Sequence, residues 1–336
     1  MSHGRFDNPV VAALAGFWDL FRKQDLSEKL KENDNFKGKT VLITGATSGL
    51  GFATAVEAAR RGGRVIMACR SKIPEAGEKV KKLSGSENVE MRFLDLSRID
   101  SIHEFVDRLK NDKVILDVTI LNAGVASAKA RKTGSGQDEM FLVNYLSNVI
   151  LTNLLIANNI IDLNRGKDEF RPRVLFISSD SHQGSSAIDY DEFGKFIPYG
   201  PSKGIENYSY FKLIMNTYAT ELSRRVNQAG FRAGINVICP GPVHSNIVKE
   251  APFLLRVTLK AIFRVIFRSP AKACLPVIYM SVSDDYEEVT NRYQHMFRIK
   301  EMDEKVYDED EGRKLWERSQ SLWREIDPGA REFTSA

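Results

Sequence analysis

Short runs of β-branched and apolar residues alternate with longer stretches of helical length from Lys39 onward. Six of these runs are predicted to be buried strands, at residues 40–44, 64–69, 89–94, 116–121, 174–177 and 235–239. Strands that alternate with helices form right-handed βαβ units, whose parallel sheet is covered by helices on both faces. The pattern therefore predicts a doubly wound α/β fold, with ligands bound just beyond the carboxyl ends of the strands.

The chain of 336 residues has no linker rich in proline, glycine and serine, so one domain with extensions is expected. We predict an N-terminal helical extension over residues 1–36, the α/β domain over 37–300 and a C-terminal helical tail over 301–336. The tail begins with acidic residues and then places large apolar side chains on one side of a helix: Leu315, Trp316, Leu322 and Trp323.

Composition and charge narrow the choice of partners. The chain is 43% hydrophobic and 27% charged, which is ordinary for a soluble protein, and a net charge of +4 argues against a nucleic-acid partner. Three widely separated cysteines and five scattered histidines predict a reducing, cytoplasmic compartment and no metal site. The apolar run at 9–17 is interpreted as a docking helix, with peripheral membrane contact as the alternative.

Three glycines follow the first predicted strand directly and open the next helix, in the run Thr44-Gly45-Ala46-Thr47-Ser48-Gly49-Leu50-Gly51. Glycines let the backbone turn tightly and approach a pyrophosphate, whose charge then lies against the amide groups of the helix N-terminus. An ordinary strand–helix turn is the alternative, but the position at the first βα junction favours a dinucleotide in a Rossmann-type domain. The expected contacts are Gly45, Ser48, Gly49, Leu50 and Gly51.

The end of the second strand distinguishes the two nicotinamide cofactors. An acidic residue there binds the free ribose hydroxyls and repels a 2′-phosphate, but here the strand ends in Cys69-Arg70-Ser71-Lys72. A guanidinium offers several donors in a planar fork and suits a phosphate. This favours NADP(H) over NAD(H), with Arg70 as the contact; the alternative is that the basic residues are simply solvated at a helix start.

Two further strand ends carry matching signals. Asp95 follows the third strand, where its carboxylate either accepts from the adenine amino group or only caps the next turn. Asn122, Ala123 and Gly124 follow the fourth strand; the small residues let the chain pass close to a cofactor, and the asparagine can tie neighbouring strands together. For these three residues a purely structural turn is an alternative that does not exclude cofactor binding.

These motifs, a Tyr-x-x-x-Lys pair and Pro240-Gly241 occur in the order seen in short-chain dehydrogenases/reductases, which the chain resembles over roughly residues 37–283. Within that superfamily it looks most like the retinol-dehydrogenase-like branch, which includes light-dependent protochlorophyllide reductase. The supporting residues are Ala68-Cys69-Arg70, Ser178-Ser179 followed by His182, and Leu315-Trp316-Glu317.

Two Tyr-x-x-x-Lys pairs compete, Tyr199 with Lys203 and Tyr208 with Lys212. The chemistry needs both side chains one helical turn apart on one rigid face, and Gly200 and Pro201 oppose that arrangement in the first pair. The second pair runs into a long helical pattern, so we choose Tyr208 and Lys212. The family usually has serine just before the lysine, and Phe211 stands there instead.

The resemblance assigns further roles around this pair. Ser179 donates a hydrogen bond to the substrate oxygen, with Ser178 as the neighbouring alternative, and Asn144 holds a proton-relay water near Lys212. Lys212 also binds the nicotinamide ribose, and the carboxamide is bound around Gly241, Val243 and Ser245, where the family more often has threonine at the last position. Tyr208 then exchanges the proton, since its pKa of about 10 is expected to fall beside the lysine ammonium.

The segment near 250–270 is strongly apolar, with basic residues at every fourth position. It is interpreted either as a helix packed on the core or as a substrate lid that also touches anionic membrane. Together with the resemblance it favours a lipophilic alcohol or its aldehyde or ketone, retinoid-like or steroid-like, as substrate. The alternatives are reduction of a C=C bond, as in protochlorophyllide reductase, and a catalytically silent dinucleotide-binding scaffold. Family members are often dimers or tetramers, so a homo-oligomer is an expectation from the resemblance.

Overall fold

The computed structural model describes residues 30–241 and 269–330. Most of the predicted N-terminal extension, nearly all of the predicted lid, Val243 and Ser245 lie outside the described residues. The described part contains a single eight-stranded sheet in the order β3-β2-β1-β4-β5-β6-β7-β8. All neighbouring strands are parallel except β7 and β8. The doubly wound α/β fold predicted from the sequence is confirmed.

The first six strands match the predicted runs closely: β1 (Thr40–Thr44), β2 (Arg64–Cys69), β3 (Val89–Phe93), β4 (Val118–Leu121), β5 (Arg173–Ile177) and β6 (Gly234–Cys239). The fourth strand begins two residues later than predicted. The N–H of Leu116 bonds outside the sheet, to the Ile160 carbonyl oxygen at 2.8 Å. The Asp117 carboxylate accepts from the Thr40 N–H and from Arg165, both at 2.6 Å. Two short strands, β7 (Tyr293–His295) and β8 (Arg298–Lys300), were not predicted and form a hairpin beside β6.

Helices cover both faces of this sheet, because alternate side chains of each strand point to opposite sides. Val41 and Ile43 face one buried cluster, while Leu42 faces the other. The helices are α1 (Gly49–Arg60), α2 (Glu75–Ser84), α3 (Ile99–Asn111), α4 (Glu139–Phe141), α5 (Ser147–Ala157), α6 (Pro201–Gln228), α7 (Pro270–Ala273), α8 (Leu275–Val282) and α9 (Glu309–Ile326). The first of these clusters packs against α1, α2 and α8, and the second against α3, α5, α6 and α9.

A continuous helical segment joins α4 to α5 through a π-helical turn, Leu142–Leu146. Within the described residues it is the one helix long and apolar enough to span a membrane by length and composition, with a mean hydropathy of 1.6. However, 94% of that window is buried inside the protein. Its lack of a polar face follows from this burial, since a helix surrounded by other elements is apolar on all sides.

The C-terminal helix α9 packs against α6 through the apolar side that the sequence indicates. Trp316 stacks on Tyr218 of α6 with ring centroids 5.2 Å apart, and the Arg225 guanidinium lies 4.5 Å from the Trp316 ring. Leu315, Leu322 and Trp323 are also buried in this cluster. The tail therefore packs against and stabilises the helix that carries Tyr208 and Lys212.

Candidate active site

The loop between β1 and α1 is packed directly against the loop that follows β4. A Cβ atom added at Gly45 would lie 2.9 Å from the Ala123 Cα, and one at Gly51 would lie 2.4 Å from the Asn122 Nδ2 and 2.7 Å from the Gly45 carbonyl oxygen. Gly45 and Gly49 also have φ angles of +68° and +58°, which side-chain-bearing residues rarely adopt. These glycines and the open end of the twelve-residue α1 fit the pyrophosphate of a dinucleotide.

Asn122 ties β1 to β4, as one of its two sequence interpretations proposed. Its Nδ2 donates to the carbonyl oxygens of Thr44 at 2.9 Å and Gly45 at 3.2 Å. The Thr44 hydroxyl in turn accepts from the backbone N–H groups of Asn122 and Ala123, both at 3.0 Å. These bonds fix the two strand ends side by side, where the cofactor is expected.

Arg70 and Asp95 follow β2 and β3 at the same edge of the sheet. The Arg70 side chain is 55% exposed, and its guanidinium lies 3.5 Å from the Glu139 carboxylate. One carboxylate oxygen of Asp95 accepts from the backbone N–H of Ser97 at 3.0 Å and from its hydroxyl at 2.7 Å. Asp95 thus caps the next turn, which was one of the two roles open to it, and adenine binding stays a prediction.

The position at which helix α6 begins distinguishes the two competing tyrosine–lysine pairs. It begins at Pro201, with Gly200 as the residue before it, because proline is well suited to the first helical position. Tyr199 therefore precedes the helix, and its hydroxyl donates to the Asp138 carboxylate at 3.3 Å. Tyr208 and Lys212 both lie inside α6, one turn apart, with the Lys212 Nζ 5.8 Å from the Tyr208 ring centroid.

Lys212 reaches from α6 to the ends of β4 and β5. Its Nζ donates to the Ile177 carbonyl oxygen at 2.7 Å. A Cβ atom added at Gly124 would lie 4.0 Å from this Nζ and 3.4 Å from the Asn144 Oδ1. Asn144, in the π-helical turn, accepts from the Val125 N–H and donates to the Val125 carbonyl oxygen, both at 2.8 Å. The structure thus brings Asn144, Lys212 and Gly124 together.

Ser179 lies just beyond β5 with its side chain partly exposed, and its hydroxyl oxygen accepts from the Ser181 N–H and lies 3.0 Å from the Ser181 hydroxyl. Ser178, the alternative, is buried and its N–H donates to the Ile238 carbonyl oxygen of β6 at 2.7 Å. A partly exposed hydroxyl can reach a substrate and a buried one cannot. This difference favours Ser179.

Burial shifts the pKa values of both Tyr208 and Lys212. It raises the pKa of the Tyr208 phenol above its ordinary value and lowers the pKa of the Lys212 ammonium to about 8. The lowered phenol pKa that the sequence analysis expects beside the lysine ammonium and an oxidised nicotinamide stays a prediction. A protonated phenol is the form that donates a proton to a carbonyl being reduced.

Gly204, one turn before Tyr208, was not singled out from the sequence. A Cβ atom added there would lie 2.4 Å from the Ser127 carbonyl oxygen, in the loop after β4. We expect Gly204→Ala to push the start of α6 away from this loop and so displace Tyr208. Small displacements of reacting groups cost about 100-fold in rate, so kcat should fall by a factor of that order in a steady-state assay.

The matched control is Gly200→Ala, at the residue preceding the same helix, where an added Cβ meets nothing within 4 Å. This variant should keep the wild-type kcat. Equal rates for the two variants would show that the close approach of α6 to Ser127 does not position Tyr208.

Sequence reasoning also missed a charged cluster behind Ser179, formed by Asp180, His295 and Lys300. Asp180, Cys239 and His295 come within 4.8 Å of one another through potential metal-binding atoms. The donor set does not fit a metal, because the Lys300 ammonium lies 2.9 Å from Asp180 and 3.0 Å from His295 and burial raises the pKa of the Cys239 thiol to about 12. The adjacency of Asp180 to Ser179 was the only signal in the sequence.

Comparison with known proteins identifies the class to which this fold and site belong. Residues 39–190 match the family model described as short chain dehydrogenase. Human retinol dehydrogenase 14 is 33% identical, with 93% of this chain and 96% of the relative covered. Human retinol dehydrogenase 13 is 31% identical, with 88% and 87% covered. The chain is also 29% identical to human polyprenol dehydrogenase, over 84% of both chains.

Solved structures support the fold assignment. An uncharacterised protein from Mycobacterium paratuberculosis has a TM-score of 0.66 and 26% identity, with 86% of this chain and 95% of that chain covered. A short chain dehydrogenase of Shigella flexneri, complexed with NADP, has a TM-score of 0.57 and 18% identity, over 79% of this chain and 99% of that one.

The chain belongs to the short-chain dehydrogenase/reductase family. Within that family it is retinol-dehydrogenase-like, as the sequence resemblance implied, and it is an NAD(P)-dependent enzyme that acts on CH–OH groups.

Proposed function

We propose that the protein interconverts a lipophilic alcohol and its aldehyde or ketone with NADP(H), using Tyr208 as the acid/base. The observation that carries this proposal is the convergence of Tyr208, Lys212, Asn144 and Gly124 at the carboxyl edge of the sheet. Two relatives are named retinol dehydrogenase and polyprenol dehydrogenase, which supports a lipophilic substrate.

Ser179, Tyr208 and Lys212 have separate roles in carbonyl reduction. A reduced dinucleotide held by the glycine-rich loop and Lys212 would supply a hydride to the carbonyl carbon. Ser179 donates a hydrogen bond to the carbonyl oxygen, on which negative charge develops. Tyr208 donates its proton to that oxygen, and Lys212 stabilises the resulting phenolate. In the alcohol-oxidising direction the same groups act in reverse, and the phenolate accepts the proton.

Lys212 links the end of β5 to the expected position of the nicotinamide ribose. Its ammonium already donates to the Ile177 carbonyl oxygen, and two donors are left for the nicotinamide ribose. Asn144 holds the backbone at Val125 with both atoms of its amide and so fixes the chain beside Gly124. In the proposed mechanism Asn144 also supports a water that returns a proton toward Lys212.

Substrate screening tests the proposed substrate class. NADPH oxidation is followed with a series of aldehydes that differ in apolar length, from short polar compounds to retinal-like ones. We expect kcat/KM to rise by about 100-fold or more along the series, since each buried methylene contributes roughly 1 kcal/mol or more. A flat or reversed series would exclude a lipophilic substrate, and no turnover with any aldehyde would contradict the proposed reaction.

Arg70 carries the preference for NADP(H). We expect Arg70→Ala to raise the KM for NADPH by roughly 10- to 100-fold, because a charge-assisted bond to a 2′-phosphate contributes about 1.5–3 kcal/mol. The KM for NADH should not change, since that cofactor has no 2′-phosphate. The measurement is steady-state kinetics with both cofactors at saturating substrate.

Arg64→Ala is the control for this experiment, because Arg64 begins the same strand at its opposite end and pairs with Glu90 at 3.2 Å. It should leave both KM values unchanged. An Arg70→Ala variant whose KM values for NADH and NADPH rise equally would show that Arg70 does not bind the 2′-phosphate.

A further inference from the structure

A buried carboxylate directly behind Ser179 binds the hairpin formed by β7 and β8. One oxygen of Asp180 accepts from the Lys300 Nζ at 2.9 Å and lies 2.5 Å from the His295 Nδ1. The other oxygen accepts from the Tyr293 hydroxyl. Asp180 is the residue after Ser179, so every one of these bonds also restrains the backbone of the candidate catalytic serine.

The same hairpin supports the end of β6, where Pro240 and Gly241 follow. Met296, at the hairpin turn, donates from its N–H to the Cys239 carbonyl oxygen at 2.8 Å. A Cβ atom added at Gly241 would lie 3.0 Å from the Met296 sulfur and 3.8 Å from the His295 Nε2. Gly241 has a φ of +79°, so this turn is shaped by close contact with the hairpin.

His182 provides a second link between Ser179 and the C-terminal part of the chain. Its Nδ1 lies 2.7 Å from the Ser179 carbonyl oxygen, and its Nε2 accepts from the Asp303 N–H at 3.3 Å. Burial lowers the pKa of this imidazole, which favours the neutral form that donates from Nδ1 and accepts at Nε2. His182 thus links the Ser179 carbonyl oxygen to Asp303, and Asp180 binds Tyr293 and Lys300. The backbone around Ser179 is therefore connected to residues 293–303 through these side chains.

We propose that Lys300 and His295, acting through Asp180, are positioning residues that hold Ser179 and the Pro240-Gly241 turn in place for the reaction. The hairpin then supports the end of β5, which leads to Ser179, and the end of β6, which leads to the carboxamide-binding turn. This inference rests on the proposed function, because it concerns the geometry of the same site.

The charge of Asp180 leads us to expect that a single substitution disturbs this network. Burial alone would raise the pKa of Asp180, but hydrogen bonds and positive charge from His295 and Lys300 hold it well below its ordinary value. The carboxylate is therefore an anion that needs a cation beside it in a poorly solvated place. The titratable groups that face it from the surrounding elements are Cys239, Tyr293, His295 and Lys300, with His182 against the Tyr293 ring.

Lys300→Met tests the proposal because it removes the ammonium and keeps a side chain of similar length. Asp180 retains the Tyr293 hydroxyl and the His295 imidazole, so we expect a folded protein whose serine is less well held. The expected result at pH 8 is a fall in kcat of about 10- to 100-fold, with little change in the Kd for NADPH. Lys300→Arg should restore most of the kcat, since it returns a cation to the same carboxylate.

The matched control is Ile299→Ala, the neighbouring residue of β8, whose side chain is exposed (61%). It tests the hairpin without touching the network and should retain the wild-type kcat. A Lys300→Met variant with wild-type kcat, or a control that loses as much activity as Lys300→Met, would overturn the proposal.

Rescue by Lys300→Arg separates positioning by charge from a general loss of structure, because arginine returns a cation to Asp180 and methionine does not. A Lys300→Arg variant whose kcat is as low as that of Lys300→Met would contradict the charge-based mechanism.

The measurements also distinguish this inference from the proposed function. If the wild-type protein reduces no aldehyde with NADPH, the proposed function is wrong. If the wild type is active while Lys300→Met has the same kcat, only the positioning role is wrong. Should Lys300→Met fail to fold, as judged by circular dichroism and NADPH binding, the single variant His295→Ala replaces it: the proposal then requires its kcat to fall about tenfold or more below the wild-type value, and a wild-type kcat refutes it.

Discussion

Replacing Tyr208 by phenylalanine should lower kcat about a thousandfold while leaving NADPH binding unchanged. The substitution removes only the hydroxyl, so the ring keeps its place in the hydrophobic cluster on α6. Without the phenol, the oxygen of the reduced carbonyl has no positioned proton donor, and general acid catalysis contributes a factor of about 100 to 10,000. Single-turnover kinetics with saturating NADPH measure the chemical step directly.

Tyr199→Phe is the control that the sequence itself supplies. Tyr199 belongs to the other Tyr-x-x-x-Lys pair, lies before α6 and donates to Asp138. Its loss should cost about 1 kcal/mol of stability or less and leave kcat close to the wild-type value. If Tyr199→Phe abolished turnover and Tyr208→Phe did not, the choice between the two pairs would be reversed.

The second large effect is expected at Gly51, in the glycine-rich loop after β1. A methyl group there would lie 2.7 Å from the Gly45 carbonyl oxygen, a backbone atom, as well as against the Asn122 amide. Such overpacking costs about 1–3 kcal/mol and moves the loop that is shaped for the pyrophosphate. We expect Gly51→Ala to weaken NADPH binding about tenfold or more, equivalent to about 1.4 kcal/mol, as measured by fluorescence titration.

Gly134→Ala tests whether this loss is specific to the loop. Gly134 is a surface glycine where an added Cβ meets nothing within 4 Å. Its Kd for NADPH and its unfolding temperature should match those of the wild type. Tight NADPH binding by Gly51→Ala would show that the close packing of this loop against Asn122 is not needed for the cofactor.

The parallel sheet could be predicted from the sequence because its strands are long, apolar runs separated by helical patterns. Thr40–Thr44 and Arg64–Cys69 were predicted with the bounds that the structure has. The hairpin β7–β8 was missed because each strand has three residues and β7 contains buried polar side chains, including His295. No local periodicity indicates such strands, and the Asp180 carboxylate that binds Tyr293 and Lys300 is distant in the sequence.

The candidate site could be predicted where function depends on a local backbone pattern. The choice of Tyr208 over Tyr199 followed from where a helix can begin around Pro201, which is local information. By contrast, the raised pKa of Tyr208 depends on burial, and the contact of Gly204 with Ser127 joins a helix and a loop 77 positions apart. Such effects become visible only when the tertiary packing is known.

A crystal structure with bound NADP⁺ tests the assignment of Tyr208 and Lys212 most directly. We expect the nicotinamide beside the Tyr208 phenol, the Lys212 ammonium about 3 Å from the ribose hydroxyls, and the pyrophosphate against the glycine-rich loop at Gly49–Gly51. A nicotinamide lying next to Tyr199 and Lys203, with Tyr208 and Lys212 out of reach, would contradict the proposed site.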